Sequence, residues 1–246
     1  MEQQAKPNPR AVQRVRHELH IRDVEVVRIA TLGDSFVAVT FRGEGLARFV
    51  SASFDDHVKF IIDGPDGEPV RRDFTPLHYD AAARELTLEF ALHEGGAASD
   101  WARAATVGQR AIIAGPRGSM IIPPDQDWHL LLGDRSALPA IRRRLAELPK
   151  GAKVIVIAVA ASADRLPLPT LAALDLHWVD SDAGLVAALG ALELPPGQGF
   201  AWFGGEAATA KAVRALLADD KGMQKEALRV SAYWKQGVAD HHEHLD

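Results

Sequence analysis

The chain of 246 residues contains no cysteine. That absence excludes disulfides, thiolate zinc sites, Cys-ligated iron–sulfur clusters and a thiol nucleophile from within the chain. Redox chemistry, if there is any, must ride on a bound cofactor. No apolar run approaches the roughly 18 residues that span a bilayer, and residues 1–20 lack the apolar core of a secretory signal. The expectation is a cytoplasmic protein with no membrane partner. Positive charge is not in excess either: the formal net charge is -5, which gives no electrostatic reason to expect nucleic acid. Missing motifs close further classes. There is no H-E-x-x-H and no G-x-S-x-G, so zincin and α/β-hydrolase mechanisms have no foothold. There is also no G-x-G-x-x-G and no Walker lysine. No metal site is expected, because the histidine-rich tail "DHHEHLD" (240–246) reads as a frayed polar terminus.

What is present is a globular composition, 47% hydrophobic and 25% charged, in a chain long enough for two domains. Residues 1–20, with Pro7 and Pro9, read as a loosely held lead-in. "DVEVVRIATLGDSFVAVTFRG" alternates polar and apolar residues around Gly33-Asp34-Ser35, the pattern of a β-hairpin. "HVKFIID", "VRRDFTPLHYD", "RELTLEFALH" and "QRAIIAGP" add four strands, predicting a six-stranded antiparallel β-barrel over 21–124. "SASF" and "ASDWARAA" read as short helices or irregular connections.

After Pro123-Pro124 the period changes. "WHLLLG", "AKVIVIAVA", "LDLHWVD", "GFAWFGG" and "LRVSAYW" are near-continuous apolar runs, as expected of parallel strands buried on both faces. "RSALPAIRRRLAEL" and "EAATAKAVRALLADD" are amphipathic helices that follow strands through tight turns. Residues 125–246 are therefore predicted to be a doubly wound α/β domain, with ligands at the carboxyl ends of its strands.

A barrel followed by a nucleotide-type sheet resembles the ferredoxin-reductase-like flavoproteins. The motifs are more specific. "RDFTP", "LHEGGAASDWA", "AGPRGS", "GDRSALPAI", "WFGGEA" and "YWKQG" stand in the order seen in the siderophore-interacting protein family of ferric-siderophore reductases, and the resemblance runs from Val24 to Gly237. It implies an FAD-dependent enzyme that passes electrons from NADPH or NADH to an iron(III)-siderophore. A reduced ferredoxin is the alternative donor, and a monomer is expected. Two other readings stay open: a non-catalytic, flavin-containing iron-chelate binder, and a flavin reductase with another acceptor.

Candidate residues follow from the same motifs. In "RRDFTP" the Arg72 guanidinium suits a phosphate, the Phe74 ring suits an isoalloxazine and the Thr75 hydroxyl can bond the ring edge. Taken without the resemblance, a solvated Arg72 and a core Phe74 explain the segment better. The family pattern has tyrosine at Phe74, arginine at Leu77 and proline at Ala97. His93, Gly95, Gly96, Ala97 and Ala98 lead to Ser99, read as the N-cap of a helix starting at Asp100 or Trp101, whose open N–H groups suit a pyrophosphate. Gly133, Asp134 and Ser136, with Gly205 and Glu206, form the two strand-to-helix turns assigned to the nucleotide. Arg165 is the one candidate contact for a nucleotide 2′-phosphate. Lys59, Arg135 and Lys235 are the candidates for holding an anionic iron chelate, Arg135 replacing the acid usual in the family. No protein side chain is assigned as catalytic.

Overall fold

The structure is a computed structural model that describes residues 10–64, 67–238 and 243–244. The tail motif lies outside the described residues except for Glu243 and His244.

The first half is antiparallel. Strands β1 (Gln13–Arg16), β2 (Ile21–Leu32), β3 (Phe36–Arg42), β4 (Val58–Asp63), β5 (Pro69–Phe74), β6 (His78–Asp80) and β7 (Glu85–Ala91) precede helix α1 (Ala97–Ala104). Strands β8 (Arg110–Ala114) and β9 (Gly118–Ile121) follow it. Seven of them form one sheet in the order β5-β4-β8-β2-β3-β7-β6, which closes around a core containing Val24, Val39, Phe41, Phe60, Leu88 and Ile113. The strand count is seven rather than six, because the three-residue β6 pairs with β7. The β2–β3 hairpin turns at Gly33, whose φ of 60° lies in the region glycine tolerates best.

Two local expectations are corrected. The described part of the lead-in, residues 10–20, is tied down: β1 pairs with β9, and Arg10 donates to Asp127 at 3.0 Å. Gly118 permits that pairing, since a Cβ there would stand 2.6 Å from the Val15 carbonyl oxygen. "SASF" is an irregular connection, one of the two forms expected of it, while Glu44–Arg48 forms a 3₁₀ turn that the alternation hid. Helix α1 starts at Ala97 and not at Asp100, with Gly96 as its N-cap.

The second half alternates. Strand β10 (Trp128–Gly133), helix α2 (Leu138–Glu147), β11 (Lys153–Val159), β12 (Ala173–Val179), α3 (Asp182–Ala191), β13 (Gly199–Glu206), α4 (Ala207–Ala215), β14 (Leu228–Trp234) and β15 (Glu243–His244) follow in turn. The sheet order is β12-β11-β10-β13-β14-β15, parallel from β12 to β14, with β15 antiparallel at the edge. Strand β10 is buried throughout because helices cover both of its faces. Leu131, Val154 and Trp202 pack under α2, and Leu130, Ile155 and Phe203 pack under α3 and α4. The chain reverses direction between β11 and β13 on either side of β10, which opens a crevice at the strand carboxyl ends.

Buried polar contacts join the halves. Asp55 and Arg229 form an ion pair at 2.6 Å, and Glu89 on β7 pairs with Arg142 on α2. Arg143 donates to the carbonyls of Pro76 and Ser51 at 2.9 and 3.0 Å. Removing one member of such a buried pair costs about 3–5 kcal/mol, so these contacts tie the two halves to each other.

Candidate functional site

Where the barrel meets the carboxyl ends of the parallel strands lies a cleft of about 970 Å³. The barrel wall comes from β4 and β5. Their register sets Lys59 opposite Asp73, and the ammonium reaches the carboxylate at 2.8 Å. Arg72, Phe74 and Thr75 line the cleft from the same strand end. Phe74 leans on the barrel core, its ring centroid 4.3 Å from that of Phe90, so it offers the cleft only part of its surface. Thr75 is buried just beyond the strand.

The loop before α1 forms the next part of the wall. Gly95 holds φ at 70°, and a Cβ on Gly96 would fall 2.2 Å from the His93 ring. Glycine is thus what lets His93 lie against the loop. Helix α1 has no side-chain cap, so its first-turn N–H groups are not taken by its own Gly96. Ser99 is not the cap. It is buried inside the helix, where its hydroxyl accepts from the His93 N–H at 3.2 Å. Ala97 opens the helix without lining the cleft, whereas Ala98 does line it. Trp101 lies in the barrel core, 4.7 Å from the Phe60 ring centroid, and not in the cleft wall. These features fit an FAD: a glycine-lined passage, an uncapped helix N-terminus and a guanidinium beside an aromatic ring.

The opposite wall is built on Asp134. Its carboxylate accepts from Ser136 N at 2.8 Å, Glu206 N at 3.1 Å and Trp234 Nε1 at 2.7 Å. Burial pushes this carboxyl above the usual range, opposed by the Ser136 and Trp234 donors. Gly133 and Gly205 shape the turns from behind. A Cβ on Gly133 would stand 2.4 Å from Ala137 Cβ, and one on Gly205 would stand 2.8 Å from Asp134 Oδ2. Glu206 caps α4 by accepting from Ala208 N and Thr209 N, so its carboxylate fills the helix N-terminus where an anion would sit. Gly133, Gly205 and Glu206 therefore support the site without lining it.

Lys59, Arg135 and Lys235, distant in sequence, line this one cleft. Two carry carboxylate partners, Arg135 lying 3.5 Å from Asp164 and Lys59 bonded to Asp73. Arg165 does not line the cleft; it donates to Asp180 at 2.9 Å. Sequence reasoning missed Asp73, Glu89, Trp234 and the acids Asp164, Asp180 and Asp182. For Trp234 the signal was its place in "YWKQG". Glu89 gave none, because its strand position reads as solvent-facing until α2 covers it. Burial raises the Glu89 carboxyl, Arg142 opposing, and Glu89 Oε2 has no partner among the described residues. Among the described residues no group of three or more metal-ligating side chains gathers. No helix among them is long and apolar enough to cross a membrane.

Comparison with known proteins agrees with this geometry. Residues 63–120 match the family model of the siderophore-interacting FAD-binding domain, and residues 126–237 match that of the siderophore-interacting protein. An Escherichia coli NADPH-dependent ferric-chelate reductase is 36% identical over 92% of this chain and 97% of its own length. The chain belongs to the siderophore-interacting protein family. The crystal structure of a siderophore utilization protein from T. fusca superposes with a TM-score of 0.86 at 33% identity, covering 93% of this chain and 98% of that one. The ferric vibriobactin reductase of Vibrio cholerae is a more distant relative, 27% identical over 88% of this chain and 90% of its own length. Outside the family, a ferredoxin NADP+ reductase from Neisseria gonorrhoeae shares the fold, with a TM-score of 0.61 at 11% identity over 87% of this chain and 99% of that one.

Proposed function

We propose that this chain is a flavin-dependent ferric-siderophore reductase, drawing electrons from a reduced nicotinamide nucleotide and releasing iron(II) from an iron(III)-siderophore. The observation that carries the reading is the single cleft whose one wall is the arginine-aromatic-threonine strand and whose other wall is the carboxyl end of the parallel sheet. Residues 21–124 act as the FAD unit and residues 125–246 as the nucleotide unit. A single chain suffices, since it supplies both walls, and the cytoplasm provides the reduced nucleotide.

FAD, when bound, supplies the conversion of a two-electron reductant into single-electron steps. The protein's part is to bind and orient. Arg72 and the N–H groups opening α1 hold the phosphates, Thr75 and Phe74 fix the ring system, and Asp134 sets the turn against which the nicotinamide lies. Lys59, Arg135 and Lys235 draw in the anionic chelate. Iron(III) is a hard trication held tightly by oxygen ligands, and iron(II) is held far less strongly, so reduction is release.

The test is anaerobic. The FAD-loaded protein should be bleached by a reduced nicotinamide nucleotide and recover its colour when a ferric siderophore is added with a ferrous chelator, which traps iron(II). Bleaching without iron(II) would leave a flavin reductase with another acceptor. Tight chelate binding without either change would leave a binding protein.

A further inference from the structure

The nucleotide wall of the cleft is acidic where β11 and β12 end. Asp164 follows β11, Asp180 follows β12 and Asp182 opens α3, and all three line the cleft. The basic groups at this edge are already engaged. Arg135 lies 3.5 Å from Asp164 Oδ2, and Arg165 donates to Asp180 at 2.9 Å and to the Ala160 carbonyl at 3.4 Å. The N-terminus of α3 offers no anion site, because Ser181 Oγ accepts from Gly184 N at 3.1 Å and Asp182 puts negative charge in the first turn.

We infer that this chain takes NADH in preference to NADPH, with Asp164, Asp180 and Asp182 as the residues that set the choice. The inference rests on the reading above that the cleft receives a reduced nicotinamide nucleotide, and it departs from the NADPH for which the Escherichia coli relative is named. In sheets of this kind the adenosine ribose lies beyond the carboxyl ends of the strands next to the first one, here β11 and β12. A free 2′-hydroxyl donates to a carboxylate there, whereas a 2′-phosphate needs an arginine. A phosphate monoester with about −1.5 to −2 charges would face three carboxylates here. Recruiting Arg165 would strip Asp180 of its partner, and recruiting Arg135 would strip Asp164.

Two measurements on the FAD-loaded protein test this. Calorimetric titration compares 5′-AMP with 2′,5′-ADP, which differ only in the 2′-phosphate and cannot donate electrons. Stopped-flow bleaching compares kcat/KM for NADH and NADPH over a range of salt. The expected result is a preference of about tenfold or more for 5′-AMP over 2′,5′-ADP and for NADH over NADPH. The apparent KM for NADPH should fall as salt rises, since salt screens repulsion, whereas a basic phosphate site would give the opposite trend. The double variant Asp180→Ala/Asp182→Arg should shrink or invert the preference. Equal or tighter binding of 2′,5′-ADP, or a preference for NADPH, overturns the inference. Selective 5′-AMP binding without bleaching by either nucleotide supports the inference and sinks the donor reading. If neither adenine nucleotide binds, both fall.

Discussion

Trp234 donates its indole N–H to Asp134 Oδ2 at 2.7 Å, tying the end of β14 to the turn after β10. Because Glu206 N reaches the same oxygen at 3.1 Å, one carboxylate holds three strand ends of the parallel sheet together. Trp234→Phe should lower stability by about 1.5–3 kcal/mol, as expected for losing one hydrogen bond to a charged acceptor. Asp134→Asn should be worse, because its amide would turn a donor toward at least one N–H that the carboxylate now satisfies. Urea midpoints of the two variants check the order, and equal midpoints would mean that the carboxylate does not organise these turns.

Arg72→Ala should weaken FAD binding by about 10- to 100-fold, the effect of losing a charge-assisted phosphate contact worth roughly 1.5–3 kcal/mol. Flavin fluorescence in an ultrafiltrate measures the released cofactor, and far-UV circular dichroism should be unchanged. Full retention of the flavin would remove Arg72 from the site.

Neutralising the cleft cations should weaken iron-chelate binding, with effects that shrink as salt rises because exposed charges are screened within roughly 10 Å at 0.1 M. Lys235→Ala should give the clearest readout. Lys59→Ala should also cost stability, since Asp73 Oδ1 is already buried with no partner among the described residues and Oδ2 would join it. Flavin reduction by the nucleotide should be nearly unaffected in Lys59→Ala and Lys235→Ala. If chelate affinity and its salt dependence match the parent in all three single variants, Arg135→Ala included, the substrate is recognised elsewhere.

His129 gives a pH dependence. It is buried on β10, and burial together with the nearby Arg144 charge lowers its pKa to about 4. Below pH 6.5 the unfolded chain takes up a proton that the folded protein refuses, so stability falls as pH drops from about 6.5 toward 4. The loss is on the order of 3 kcal/mol across that window. His129→Gln should flatten this part of the stability profile, and an unchanged acid slope would assign it to other groups.

The two-part fold was legible because each half carries its own period. Alternation in "RELTLEFALH" reflects a strand with one face on the barrel core, and the unbroken "WHLLLG" reflects a strand covered on both faces. Motif order likewise located part of the cleft lining, including Arg72, Thr75, Gly96, Asp134 and Lys235. Tertiary structure alone decided which side chains face the ligand and which face protein. Ser99 and Trp101 sit in the expected segment, yet an earlier helix start turns Ser99 toward the His93 N–H and Trp101 into the core. Charge pairing is the other half of what the linear order hid. Glu89 meets Arg142, Arg135 meets Asp164 and Arg165 meets Asp180, each across a gap that only chain folding closes. Periodicity reports how much of a strand is buried, because burial follows local patterning. Whether an arginine is left for a phosphate depends on the carboxylate that long-range packing puts beside it.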